Sequence, residues 1–272
     1  MASVINKLVR VKNNYTSLRG RIALDPIVEA PEGDKHTGRI PFGNGQMSYT
    51  SSAETQKHYS SEEGQAEVDD SFPGKIDRTG TLTTDNMSDE NLAMFLSGTV
   101  ADVSQAQISV AAEETITVIP GRYYQLGLSE SRPTGLRQVS DVVVTNTLGG
   151  TTYDEDDYRV DLELGILQIL STGSIQAGDI KVEYKAVAAS WSQIKTGDGV
   201  GLMFGVHLVA HNPRGRNIDW WFPKVLLSPN GELPLVQEGE TMEYAKAGFS
   251  IEIMKPANLE AVYVDGRPRS NT

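Results

Sequence analysis

The chain has 272 residues, 39% of them hydrophobic, with a formal net charge of -12 and a sequence pI of about 4.8. This charge excludes tight binding of nucleic acid over a broad surface, because few cationic groups are available to displace counterions from phosphates. The sequence contains no cysteine, which excludes a disulfide framework, a thiolate zinc site and a cysteine nucleophile.

The N-terminal sequence MASVINKLVRVKNN lacks the apolar core of a signal peptide. No run approaches the roughly 18 apolar residues that a membrane span requires. We therefore expect a protein that is made and kept in a soluble compartment, most simply a cytoplasm. Glycine is frequent and helix-favouring runs are scarce, which favours a mainly β fold with many turns.

Residues 40–75 are polar and rich in serine, and glycine and proline punctuate the sequence just before them. Such a segment is either a flexible insertion or a long hairpin arm that becomes ordered only against a partner. A partner would bury its few apolar side chains. The candidate interface residues of this segment are Phe42, Met47, Tyr49, His58, Tyr59 and Phe72.

The next segment, IDRTGTLTTDNMSDENLAMFLSG, predicts a threonine-rich strand over 76–84 followed by one short amphipathic helix. Asn86 or Ser88 is the predicted N-cap, and Gly98 is the predicted C-terminal stop. The apolar stripe of this helix has the spacing i, i+3, i+4 and comprises Leu92, Phe95 and Leu96.

From residue 108 to the end the pattern is that of strands. Residues 137–187 form a compact β unit with its own apolar face, and we interpret them as an inserted module between residues 1–136 and 188–272. Gly165 is either a bulge or the positive-φ residue of a turn. The predicted inward-facing residues of one strand are Ile180, Val182, Tyr184 and Ala186.

Four consecutive acids, Asp154, Glu155, Asp156 and Asp157, raise the question of a metal or catalytic site. Successive strand residues point to opposite faces, so four neighbours converge on one ion only if the backbone wraps around it. The spacing, glycine and closing glutamate of a calcium loop are not present. We interpret the quartet as the solvated rim of a sheet.

The histidines and the glycine-rich segment do not form a recognisable chemical motif. His207 and His211 lie on a predicted strand, where a separation of four residues spans roughly 13 Å, too far for one metal ion. The segment KTGDGVGLMFG lacks the Lys-Ser/Thr ending of a phosphate-binding loop. We find no convincing catalytic triad, predict no cofactor, and expect that the protein is not an enzyme.

Trp220 and Trp221 are adjacent on a predicted strand and therefore face opposite sides of it. One of them is expected in the core. The other is a candidate aromatic interface anchor or a platform for a sugar ring. The alternative is that both faces of the strand are buried, so that both tryptophans lie in the core.

Two stretches carry a family resemblance. RTGTLTTDNMSDENLAMFLSG, with ETQKHYSSEEGQAEVDD before it, resembles the strand-to-helix segment of major tail tube proteins of long-tailed bacteriophages. The stretch YDEDDYRVDLELGILQILSTGSIQAGDIKVEYK resembles a β unit that recurs in phage tail and other virion proteins, and WWFPKVLLSPNGELPL is a third, weaker match.

This resemblance implies a tail-tube-type two-sheet β-barrel or sandwich with one short flanking helix, plus the inserted β unit on the outside. Protomers of that family form hexameric rings that stack into a tube, which is the conduit for genome ejection. Residues 40–75 would be the arm that docks on the neighbouring ring.

The implied partners are other copies of the chain and the tape measure, terminator and tip proteins of a virion tail assembled in the host cytoplasm. DNA would pass through without specific binding, and no membrane would be involved. The alternative is a carbohydrate-binding or adhesion β-sandwich that uses one of the two tryptophans.

Overall fold

The computed structural model describes residues 15–28, 35–60, 64, 67–147, 150–197, 202–238 and 243–268. The described part of the chain is mainly β, with antiparallel sheets and one short helix, so the predicted fold class is confirmed at this level. None of the sheets closes into a barrel within the described residues.

The elements in chain order are β1 (Gly20–Val28), β2 (Lys35–His36), β3 (Ile40–Gly43), β4 (Gly45–Tyr59), β5 (Val68–Thr84), α1 (Asp89–Phe95), β6 (Gly98–Gln105), β7 (Ile108–Val118), β8 (Tyr123–Gln125), β9 (Val139–Asn146), β10 (Tyr158–Asp161), β11 (Ile166–Ile169), β12 (Gly178–Ala186), β13 (Ala189–Thr196), β14 (Leu202–Ala210), β15 (Ile218–Pro229), β16 (Ala247–Ile253) and β17 (Tyr263–Gly266).

The chain divides into two compact units. Unit 1 comprises residues 1–100 and 194–272, and unit 2 comprises residues 101–193. The chain enters and leaves unit 2 along strands β6 and β13, which pair with each other as a separate two-stranded sheet. In sequence, unit 2 lies between strands β5 and β14, which both belong to one sheet of unit 1.

Unit 1 contains a nine-stranded sheet in which the order along the main path is β2-β1-β14-β15-β16-β5-β4. Strand β3 also pairs with β1, and β17 also pairs with β15. One face of this sheet buries alternate apolar side chains against helix α1. The largest fully buried members of this core are Leu24, Phe42, Leu82, Phe222 and Phe249.

Helix α1 begins as predicted but buries a different face. Ser88 is the N-cap, and its side chain accepts a hydrogen bond from the backbone N–H of Asn91. The predicted stripe is confirmed for Phe95, which packs against the core, but it is wrong for Leu96, which is exposed. The buried residues of the helix include Asn91 and Met94 instead. The Nδ2 of Asn91 donates to the carbonyl oxygens of Phe42 and Asn86, so a polar side chain anchors the helix. Ser97 follows the helix in the left-handed conformation, at φ 50°, and Gly98, the predicted C-terminal stop, is the first residue of β6.

Unit 2 contains two three-stranded sheets, in the orders β7-β12-β9 and β10-β11-β8, around a separate core. The predicted alternation of β12 is confirmed, because all four of its predicted inward residues are buried. Gly165 has φ 68° in the turn between β10 and β11, which confirms the turn alternative. Gln105 is buried and ties the unit together, donating to the carbonyls of Arg137 and Val187.

The predicted boundary of the inserted module at residue 137 is wrong. Strand β12 pairs with β7 from Gly178↔Val118 onward, and β7 precedes residue 137. The apolar face of 137–187 therefore does not stand alone, and the unit begins at Ala101. Whether this unit lies on the outside of an assembly stays a prediction.

Candidate functional site

Strands β4 and β5 form a long hairpin. We call the part of this hairpin between Ser51 and Arg78, beyond the residues of β5 that pair with β16, the arm. The two strands pair from Gly45↔Thr84 to Tyr59↔Val68. Strand β16 pairs with β5 only between Thr79 and Thr84, so the rest of the hairpin has no third strand within the described residues. Residues 40–75 were predicted to be either a flexible insertion or a long hairpin arm. Their described part contributes to this hairpin.

The strands of the arm continue the alternation of the sheet. The face that begins with the core residues Met47 and Leu82 continues through the pairs Ala53↔Ile76 and Tyr59↔Val68, and the polar pairs Ser51↔Arg78 and Lys57↔Ser71 lie between them. We call this side of the arm its apolar face, after Ile76, Tyr59 and Val68, which are about half exposed because no core among the described residues covers them. The opposite face carries polar pairs such as Ser52↔Asp77 and Glu54↔Lys75, together with the exposed side chain of Phe72.

The predicted interface residues are divided between the core and the arm. Phe42 is 1% exposed and packs against the ring of Phe249 at 6.1 Å, so its assignment to an interface is wrong. Met47 is half-buried against the same core. Tyr49 lies near Trp220 and Phe222, at centroid distances of 6.5 and 6.1 Å.

Three of the predicted residues, His58, Tyr59 and Phe72, lie exposed on the arm. His58 is not isolated there, because its Nδ1 lies 2.6 Å from a carboxylate oxygen of Asp69 on the neighbouring strand.

Trp220 and Trp221 lie on opposite faces of the sheet, as the alternation predicts. Trp220 is on the core side and stacks with Phe222 at 6.2 Å. Trp221 lies between two strand neighbours, stacked with His207 at 5.7 Å and with Tyr263 at 5.1 Å. Both flat faces of the Trp221 ring are therefore covered by rings of its own chain.

A group of polar residues near Trp221 was not foreseen from the sequence. Asp25 is buried, accepts a hydrogen bond from the backbone N–H of Gly38, and has His36 and His207 within 3.4 and 4.0 Å of its Oδ2. Burial, reinforced by the positive charge of Arg39, lowers the pKa of His207 to about 4. His207 is therefore neutral at pH 7 and contributes a stacked ring to the sheet.

Asp25, His36 and His207 come from the three strands β1, β2 and β14, so no local sequence motif indicates that they form a group. His211, which the sequence pairs with His207, lies just past the end of β14 and is exposed. Among the described residues, no three His, Asp or Glu side chains are placed to hold a metal ion.

The acidic quartet lies in a turn before β10. Its first three members are exposed, in agreement with a solvated position, but Asp157 is buried and the rim interpretation is wrong for it. The Oδ1 of Asp157 accepts a hydrogen bond of 2.5 Å from the backbone N–H of Ser174. That bond holds the pKa of Asp157 below its usual range. This carboxylate braces the turn against the loop after β11.

A small cavity of about 200 Å³ opens between β1, β3 and α1 in unit 1. Its lining is apolar apart from Glu90 and Asn91, and the Asn91 amide already donates to two backbone carbonyls. The lining therefore offers no pair of groups suited to acid–base or nucleophilic chemistry. That the protein is not an enzyme stays a prediction.

No helix in the described ranges is long and apolar enough to cross a membrane. A comparison with curated proteins finds no match. A family model described as "Protein of unknown function UCP028589" matches residues 15–258. Because this match spans most of the 272 residues, the chain belongs to the protein family of unknown function UCP028589.

Proposed function

We propose that this protein is the major tail tube protein of a long-tailed bacteriophage, and that it forms hexameric rings that stack into the tube through which the genome is ejected. The observation that carries the proposal is the arm. A two-stranded hairpin extends from a packed sheet, and the exposed apolar side chains Ile76, Tyr59 and Val68 on one of its faces have no core against them within the described residues.

Such an arm requires a partner for its apolar face. A two-stranded hairpin is marginally stable in water, whereas a third strand or a packed surface stabilises it. Burying the exposed part of Ile76, Tyr59 and Val68 against a neighbouring copy would supply this stabilisation. A ring stacked on another ring offers that surface in every subunit, which makes the arm the connection between rings.

The sheet of unit 1 also has a free edge. Within the described residues, β4 pairs only with β5, so the backbone groups along its outer side are available to another strand. Proteins usually cover or interrupt such edges, because an open edge pairs with other chains. In a closed ring of identical subunits, each edge finds the same partner and no edge remains open.

The charge of the chain suits a conduit. With a net charge of -12 per copy, a tube wall would repel phosphates, so DNA could slide without binding. The carbohydrate-binding alternative is not favoured by the tryptophans. Trp221 is covered on both faces by His207 and Tyr263, and Trp220 packs on the core.

Electron microscopy of the purified protein over a range of concentrations tests the proposal. We expect rings and tubes. A variant in which a two-residue turn replaces the arm between Ser51 and Arg78 should keep the urea midpoint of the parent protein and form no tubes. Amide hydrogens of the arm should exchange faster in the monomer than in the tube. A protein that stays monomeric at every concentration, or a trimmed variant that still forms long tubes, would contradict the proposal.

A further inference from the structure

Five arginines lie together at one end of unit 1, in a chain whose overall charge is strongly negative. We call this group the arginine corner; it consists of Arg19, Arg21, Arg214, Arg216 and Arg267. All five residues are exposed. The segments that continue from it at the chain ends, residues 1–14 and 269–272, contain no Asp or Glu in their sequences.

Three separate parts of the chain build the corner. The segment before β1 pairs with the turn after β14, where the Ser17 N–H donates to the carbonyl oxygen of Arg214 at 3.0 Å. The His211 N–H donates to the carbonyl oxygen of Arg19 at 2.7 Å. The guanidinium of Arg267, just past β17, donates to the Ala210 carbonyl oxygen.

Most of this positive charge has no ion-pair partner among the residues that the structure describes. Arg267 pairs with Asp219 at 3.4 Å, and Asp265 is the cross-strand neighbour of that aspartate. The other four arginines of the corner form no ion pair within the described ranges. Bringing several unpaired guanidinium groups together costs electrostatic energy, which an acidic ligand would offset.

The tip of the arm has the opposite character. Residues 60–70, SSEEGQAEVDD, contain five acids and no Lys or Arg. Of these acids, Glu67, Asp69 and Asp70 are described and exposed. Tyr59 and Val68 lie beside them on the apolar face of the arm.

We propose that the arginine corner is the docking site for the acidic tip of the arm of a second copy of this chain. This inference rests on the proposed function, and it names the surface that receives the arm. Charge complementarity favours this occupant, since the tip carries five acids and no Lys or Arg beside exposed apolar side chains. Of its described acids, Asp69 contacts His58, whereas Glu67 and Asp70 form no ion pair within the described ranges. Leu18, which is 84% exposed next to Arg19, gives the corner an apolar contact that a protein partner uses and a phosphate backbone does not.

A charge-reversal experiment tests the pairing. Arg214→Glu with Arg216→Glu should raise the protein concentration needed for tube formation about tenfold or more, because attraction becomes repulsion at each contact. Glu67→Lys with Asp70→Lys should have a similar effect. The four changes combined restore both the complementarity and the net charge, and should restore assembly. Increasing salt should weaken the assembly of the parent protein.

The matched control is Lys195→Glu with Lys246→Glu, which changes the net charge equally at exposed positions outside the corner. We expect little effect on assembly. Urea midpoints equal to that of the parent protein verify that each variant is folded.

The outcomes separate this inference from the proposed function. If tubes form and depend on the arm, but the corner variant assembles like the parent, the docking site is wrong and the tube proposal stands. Failure of the combined variant to assemble also overturns the pairing. Binding of duplex DNA that is lost in the corner variant, with assembly unchanged, assigns the corner to nucleic acid instead. If the parent forms neither rings nor tubes, the proposed function itself fails.

Discussion

Replacing Asn91 by alanine tests whether a polar side chain, and not an apolar stripe, fixes helix α1 to the sheet. Asn91 is 2% exposed, and its Nδ2 donates to the carbonyl oxygens of Phe42 at 3.1 Å and Asn86 at 2.8 Å. Asn91→Ala removes both bonds and leaves the carbonyl oxygen of Phe42 with weaker partners, since its other donors are 3.4 Å away.

The expected loss follows from these contacts. Each hydrogen bond contributes about 0.5–1.5 kcal/mol net, and a buried acceptor left without a donor costs about 1–3 kcal/mol. Asn91→Ala should therefore lower the free energy of unfolding by about 2–3 kcal/mol. The sequence-based stripe predicts the reverse ranking, in which Leu96→Ala is the costly change. Because Leu96 is 43% exposed, we expect its replacement to cost less than about 1 kcal/mol.

Urea unfolding followed by tryptophan fluorescence measures both variants. Two of the three tryptophans, Trp220 and Trp221, lie in unit 1 and report on the sheet that carries the helix. The reasoning is refuted if Asn91→Ala shifts the midpoint no more than Leu96→Ala does, at an unchanged slope. Ser88→Ala, which removes only the N-cap bond, should cost about 1 kcal/mol and lie between the two.

Four further predictions concern charge and modularity. Neutralising the three exposed acids at 154–156 should leave the melting temperature unchanged with or without calcium; a calcium-dependent rise in the parent that this variant loses would refute it. Asp157→Asn should be destabilising at pH 7, and this difference should disappear in acid, because a carboxylate with a lowered pKa contributes stability above its unfolded pKa and loses it as pH falls through the folded value. The pKa of His207 is lowered from 6.5 to about 4 in the folded protein, so between these pH values the unfolded chain binds a proton that the folded chain does not. The free energy of unfolding should therefore fall as pH drops from about 6.5 to 4. His207→Phe should flatten this part of the stability profile, measured by urea titration. Removing residues 101–193 with a Gly-Ser bridge should leave a folded unit 1 by circular dichroism, whereas removing only 137–187 should expose β7 and cause aggregation.

Local patterns in the sequence predicted the parts of the fold that depend on alternation and capping. Strict alternation over 180–186 gave the buried face of β12, and the adjacency of Trp220 and Trp221 gave their opposite sides. Ser88 was one of two predicted N-caps, with Asn86 as the other, because an N-cap is recognised from its immediate neighbours.

The errors arose where distant pairing decides the outcome. The start of unit 2 was missed because the strand that completes its sheet, β7, lies before residue 137 and shows its partner only in three dimensions. Phe42 lies in a polar segment, yet the sheet brings it against Phe249. The group around Asp25 is invisible in sequence for the same reason, since His207 joins it from β14.

The insertion of unit 2 into unit 1 has a consequence for synthesis on the ribosome. Gly20 pairs with Ala210, and Thr84 pairs with Ala247, so the large sheet cannot form until almost the whole chain has been translated. Unit 2 is continuous in sequence and has its own core, so it can fold while β1 still lacks its partner β14 and β5 still lacks its partner β16. Completion of the sheet is then a late step that closes very long loops, and long loops slow folding. The nascent chain therefore carries β1 and the β4–β5 hairpin with open edges for most of its synthesis, and its demand for chaperones should be greatest just before β14 to β16 emerge.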